Sequence, residues 1–301
     1  MIRTLTICGL LLLPASFRPA VAQPATAQTA PPQIAPTQPV PARCPAEPVQ
    51  SLALPGTAAA LAAGRPVRII AFGSSSTEGF AASGPAATYP ARLEARLREA
   101  LPGRPVTVLN RGRGGEEVAE MSLRLQRDVL DAAPTLVVWQ VGSNAVLRGM
   151  EPGFYREKVE AGLDRLRAAG IEVMLMDSQE APRLWELPER KAAIEAETGA
   201  IAQARGIPLF SRGRLMRQWQ RDGVPAGAVI GPDGLHHTDF GYDCVAGALA
   251  EGILATVRPT LATPPYGRSG VQAVAPDSAI GVVPGAASGP VSGMAEAARP
   301  R

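Results

Sequence analysis

Five short apolar runs, at residues 67–72, 106–109, 135–141, 171–176 and 207–210, alternate with longer amphipathic stretches, and this alternation constrains the fold most. The runs are nearly uninterrupted in apolar character, as strands covered on both faces are. Between them, residues 88–100, 116–130, 153–169 and 188–205 carry Arg and Glu on one side and Leu or Ala on the other. A last helix is expected from Asp239 to Val257. Strand and helix in regular succession predict right-handed crossovers and a mostly parallel five-stranded sheet, the middle layer of a three-layer α/β/α sandwich. In such a sheet, sites form beyond the carboxyl ends of the strands.

The alternating pattern occupies residues 64–258, an ordinary size for one domain. Residues 1–22 have a basic start at Arg3, an apolar core from Ile7 to Leu13 and the small-residue exit Ala20-Val21-Ala22, the form of a signal peptide cleaved before Gln23. Ile7 is too bulky for the residue before a lipidated cysteine, which argues against lipidation at Cys8. The apolar core is too short to span a bilayer, and no later stretch offers about 18 uninterrupted apolar residues. Residues 23–63 are rich in Pro, Ala, Thr and Gln and read as a disordered linker. Residues 259–301 repeat that composition with Gly and Ser and read as a disordered tail. The expectation is a periplasmic or secreted protein.

Charge narrows the choice of partner. The 301 residues carry a formal net charge of +3. Without Arg3 and Arg18, 28 basic residues face 27 acidic ones, so nothing electrostatic favours nucleic acid or an anionic membrane. Cys44 and Cys244 remain after processing, and two readings of them stay open. One is a disulfide closing a loop of about 200 residues, worth about 5 kcal/mol in the chain-entropy model. The other is two free thiols, with Cys244 buried as a small hydrophobe.

The chemistry gathers at four expected strand ends. Gly73-Ser74-Ser75-Ser76-Thr77 supplies a hydroxyl at a tight turn, and Asn110-Arg111-Gly112-Arg113-Gly114-Gly115 supplies backbone free to aim an N–H. Gly142-Ser143-Asn144 supplies a side-chain amide, and Asp233-Gly234-Leu235-His236-His237 holds both histidines of the chain. Hydroxyl, acid and histidine in the order Ser, Asp, His are the parts of a nucleophilic triad for acyl transfer. No Cys or carboxylate cluster joins the histidines, so no metal is expected. Gly112-Arg113-Gly114-Gly115 lacks the G-x-G-x-x-G spacing, so no dinucleotide cofactor is expected either.

Taken in order, Phe72-Gly73-Ser74-Ser75-Ser76-Thr77-Glu78-Gly79, Asn110-x-Gly112-x-x-Gly115, Gly142-x-Asn144 and Asp233-x-x-His236 resemble the four motifs of the GDSL, or SGNH, hydrolases. The resemblance implies their flavodoxin-like fold and an ester hydrolase with Ser75 as nucleophile, His236 as base and Asp233 as its acid partner. It also implies an oxyanion hole made by the N–H groups of Ser75 and Gly115 and the side chain of Asn144. Three positions depart from the family pattern: Ser74 and Ala145 stand where Asp is common, and His237 follows the base where Pro is frequent. His237 is expected at the rim, and Arg111 and Arg113 on a solvated loop face. With few aromatic residues and no long apolar lid, the expected substrate carries a short acyl group, such as O-acetyl on carbohydrate. The alternatives are a lysophospholipase or thioesterase of the same family, or a catalytically idle carbohydrate-binding relative.

Overall fold

The computed structural model describes residues 41, 43–45 and 49–262. The expected leader, the linker from 23 to 40 and the tail from 263 lie outside the described residues. In chain order the elements are α1 (Pro55–Ala62), β1 (Val67–Gly73), α2 (Ser75–Glu78), α3 (Tyr89–Ala100), β2 (Val106–Gly112), α4 (Val118–Asp128), β3 (Leu136–Gln140), α5 (Ser143–Arg148) and α6 (Pro152–Ala168). There follow β4 (Glu172–Met176), α7 (Pro182–Trp185), α8 (Pro188–Arg205), β5 (Leu209–Phe210), α9 (Arg212–Arg221), α10 (Ala226–Val229) and α11 (Asp239–Ala262).

The strands pair in the order β2-β1-β3-β4-β5, and every pairing is parallel. This is the flavodoxin-like order. After β1 the chain crosses to one side to make β2, then returns to the other side to make β3. The crossovers diverge between β1 and β3, and a crevice opens at their carboxyl ends. Ser75 follows β1 and Asn144 follows β3, so the topology sets them on either side of that crevice.

Central strands explain the apolar runs. All five residues of β3 are buried, as are Ile69, Ile70, Ala71 and Phe72 of β1. On one face of the sheet α11 packs against α3 and α1, and α3 lies on β2. On the other, α6 packs between α4 and α8. Helix α6 turns Tyr155, Val159, Gly162, Leu163 and Leu166 inward at helical spacing. Gly162 admits the indole of Trp139, since a Cβ there would meet Trp139 Cη2 at 2.3 Å.

Two expectations about boundaries are corrected. Residues 49–63 are not disordered linker: α1 lies there, and Leu52, Leu54, Ala58 and Leu61 are buried in the core against the last helix. Its Ala-rich sequence resembles the linker before it, but Leu at 52, 54 and 61 supplies apolar area that offsets ordering. The last helix runs on to Ala262 rather than ending at Val257. Its length and mean hydropathy of 1.3 would suffice to cross a membrane, yet Tyr242, Val245, Leu249, Ile253 and Val257 are buried in this fold. Cys44 and Cys244 form a disulfide with a Cα–Cα distance of 5.3 Å, which ties the N-terminal segment to α11.

Candidate active site

At the end of β1 the chain must turn sharply, and Gly73 permits it. A Cβ there would lie 2.3 Å from Thr77 Oγ1 and 2.7 Å from Gln140 Oε1. Gln140, the last residue of β3, accepts hydrogen bonds from the Ser74 N–H at 2.9 Å, the Ser74 hydroxyl at 3.0 Å and the Thr77 hydroxyl at 3.2 Å. Ser74 and Ser76 are buried, whereas Ser75 is half-buried at the first position of α2. Of the three serines, Ser75 is the one hydrogen-bonded to a histidine.

His236 Nε2 lies 2.8 Å from Ser75 Oγ, and His236 Nδ1 lies 2.5 Å from Asp233 Oδ2. The Asp-x-x-His spacing has a local cause. Asp233 Oδ1 accepts the backbone N–H groups of Leu235 and His236, each at 3.0 Å, so the carboxylate folds the turn around itself. Gly234 gives that turn its left-handed residue, with φ of 68°. The second carboxylate oxygen is thereby left facing the imidazole three residues on. Partial burial raises the Asp233 pKa, but the ring and backbone donors outweigh it and hold the carboxyl below the ordinary carboxylate range.

Across the crevice, α5 pins the loop that carries Gly115. Asn144 Nδ2 donates to the Glu116 carbonyl at 2.7 Å, and Arg148 Nη2 donates to the Gly115 carbonyl at 2.5 Å. Asn144 and Arg148 are four residues apart, on one helix face, so they hold consecutive carbonyls. Arg148 is steadied by Glu120, at 2.9 and 3.0 Å from its two carboxylate oxygens. Gly115 has φ of 77°, a left-handed conformation that suits glycine. All five residues named from sequence, Ser75, Gly115, Asn144, Asp233 and His236, therefore stand at the carboxyl edge of the sheet.

Sequence reasoning missed the buried supports. Arg124 of α4 is 5% exposed and bonds the Gly73 carbonyl at 3.0 Å, the Arg111 carbonyl at 2.9 Å, Glu116 at 2.6 Å and Asp128 at 3.0 Å. One guanidinium thus joins the residue before the Ser74-Ser75 turn to the loop before Gly115. Gln179, just after β4, donates to the Leu235 carbonyl at 3.1 Å and accepts from the Ser143 hydroxyl at 2.8 Å. It touches the neighbours of both His236 and Asn144. Arg212 Nη2 donates to the same amide oxygen at 2.7 Å and so fixes which way the amide points. The sequence did hold a signal for this layer: Asp177-Ser178-Gln179-Glu180 are four consecutive polar residues at a strand end, and all are buried.

His237 is corrected from a rim residue to a core one. It is fully buried, its Nδ1 lies 3.2 Å from the Val229 carbonyl, and it forms an antiparallel bridge with Ile230. Successive residues of an extended chain face opposite ways, so placing His236 in the crevice turns His237 into the core. Burial, then the nearby Arg212 charge, push its pKa down to about 3. It stays neutral, with Nδ1–H donated to Val229.

A curated relative, Esterase TesA of Pseudomonas aeruginosa, is 28% identical over 141 residues, covering 45% of this chain and 68% of that protein. A two-domain esterase active on acetylated mannans, solved with mannopentaose, superposes with a TM-score of 0.59 at 20% identity, covering 69% of this chain. This chain spans 55% of that protein's length. A variant of Axe2, an acetyl-xylooligosaccharide esterase from Geobacillus stearothermophilus, superposes with a TM-score of 0.53 at 18% identity, covering 64% of this chain and 94% of that one. The profile of the non-GDSL lipase-like family matches residues 41–259, more than half of the chain. With a parallel sheet in flavodoxin-like order and the four motifs along its carboxyl edge, the chain belongs to the non-GDSL lipase-like family of SGNH hydrolases and is a carboxylic ester hydrolase.

Proposed function

We propose that the protein is an exported serine esterase that removes short acyl groups, such as O-acetyl, from carbohydrate through an acyl-enzyme. The observation that carries the mechanism is the continuous chain from Ser75 Oγ through His236 to Asp233, at 2.8 and 2.5 Å. As Ser75 Oγ bonds to the ester carbonyl carbon, its proton passes to His236 Nε2, and Asp233 holds the tautomer and stabilises the imidazolium. The oxyanion is held by the N–H groups of Ser75 and Gly115 and by Asn144. Collapse breaks the carbon–oxygen bond to the alcohol, which leaves with the His236 proton. Water then gives a proton to His236 and attacks the acyl carbon, and Ser75 departs with that proton, releasing the carboxylic acid.

The carbohydrate reading is supported by the substrates named for the mannan and xylooligosaccharide esterases of like fold. Export is supported by the signal-peptide form of residues 1–22, and the Cys44–Cys244 disulfide suits an oxidising compartment. A fluorophosphonate should label the wild type at Ser75, mapped by mass spectrometry, and esters of two to four carbons should be cleaved fastest. Labelling at Ser74 or Ser76 would overturn the nucleophile. A preference for acyl chains of about eight carbons or more would replace the short-acyl reading with a lysophospholipase or thioesterase.

A further inference from the structure

Phe80 is out of place for a large apolar side chain: it is 55% exposed, yet its ring centroid lies 4.4 Å from that of His236. The backbone fixes it there. Its N–H donates to the Ser75 carbonyl at 2.9 Å, and its carbonyl accepts from the buried Tyr242 hydroxyl at 2.9 Å. Gly79 before it has φ of 98°, and a Cβ on Gly79 would meet Thr88 Cγ2 at 2.1 Å. The ring is therefore presented to solvent by a rigid turn, and it flanks the imidazole.

Reaction geometry assigns an occupant to that surface. His236 Nε2 must reach the leaving oxygen to protonate it, whereas the carbonyl oxygen points across the crevice toward Gly115 and Asn144. The group attached to the leaving oxygen therefore projects past His236, over Phe80. We infer that Phe80 is a specificity-determining residue whose exposed ring seats the C–H face of a pyranose in the alcohol part of the substrate. The surroundings favour a sugar over an alkyl chain. The chain on either side of the ring is polar: Glu78 is exposed two residues before it, and Ser83, three residues after it, bonds Asp239 through its N–H at 2.9 Å. A sugar offers an apolar face to the ring and hydroxyls to its border, while an alkyl chain needs a continuous apolar groove.

This inference rests on the serine esterase reading, and its test separates the two. In full-length Phe80→Ala, kcat/KM for a mono-O-acetylated methyl pyranoside, divided by kcat/KM for ethyl acetate, should fall about tenfold, the scale of one lost ring contact. Phe80→Trp should restore that ratio. The preference for ethyl acetate over ethyl butyrate should stay within about twofold of wild type, because the acyl group lies elsewhere. An equal loss on pyranoside and ethyl acetates, the mark of a ring that only steadies His236, would overturn the inference. So would a changed acetate-to-butyrate ratio, which would put Phe80 in the acyl site. A wild type that cleaves ethyl acetate but no pyranoside acetate would overturn the underlying carbohydrate reading.

Discussion

Gly112 ends β2 against the turn that carries Ser75, and Gly112→Ala should disable the site through backbone contact alone. A Cβ there would lie 2.0 Å from the Glu78 nitrogen and 2.5 Å from both Glu78 Cα and the Thr77 carbonyl carbon. Ordinary non-bonded contact begins near 3.5 Å, so the two segments must part by about 1 Å or more. Thr77 and Glu78 belong to the single helical turn that starts at Ser75, and the Gly79 N–H closes that turn on the Ser75 carbonyl. The displacement therefore reaches Ser75 Oγ and its 2.8 Å contact with His236. A misplacement of about 1 Å costs about 10²-fold in rate. Overpacking of this kind costs about 1–3 kcal/mol, or about 2–12 °C in Tm for a domain of this size. The assay is kcat on p-nitrophenyl acetate beside a thermal melt, with Gly153→Ala as control, since a Cβ at Gly153 would meet nothing within 4 Å beyond its own helix backbone. Wild-type kcat and Tm in Gly112→Ala would refute the reasoning.

On the proposed mechanism, Asn144→Ala removes an oxyanion donor as well as the hydrogen bond to the Glu116 carbonyl, so kcat should fall about 10²–10³-fold; steady-state kinetics giving wild-type kcat would remove Asn144 from the oxyanion hole. Stability should follow pH through His237, whose pKa is about 3 in the folded protein and near 6.5 when unfolded. The unfolded chain takes up the proton first, so this contribution is complete above about pH 6.5 and is lost as pH falls toward 3. The loss amounts to about 2 kcal/mol by pH 5. Urea unfolding at pH 7.5 and pH 5 should show that drop in the wild type, and His237→Met should lose the part due to this residue; equal drops in both proteins would contradict a buried neutral His237.

The sheet was legible because parallel central strands are apolar on both faces, and β1, β3 and β4 fall within a residue or so of their expected limits. The Asp233–His236 pairing was legible because it is local, a carboxylate wrapping its own turn. Helix α9 was not among the expected helices: four arginines in ten residues mask the stripe of Leu215, Met216 and Trp219 that it buries. Arg124 and Arg212 were illegible as core residues because their burial depends on carbonyls and carboxylates supplied by distant segments. Sequence spacing does not encode those partners.

The bridge between Cys44 and Cys244 also sets an order of events in assembly. The two cysteines are 200 residues apart, so Cys44 emerges from the ribosome roughly 10–40 s before its partner at ordinary rates of synthesis. The chain's remaining cysteine is Cys8, in the expected leader. Removal of the leader, on the export route proposed above, eliminates that competitor and reduces three conceivable pairings to one. The bond then waits on placement of α11, the last helix to be made. Once closed, it joins the first-made end of the domain to its last-made helix.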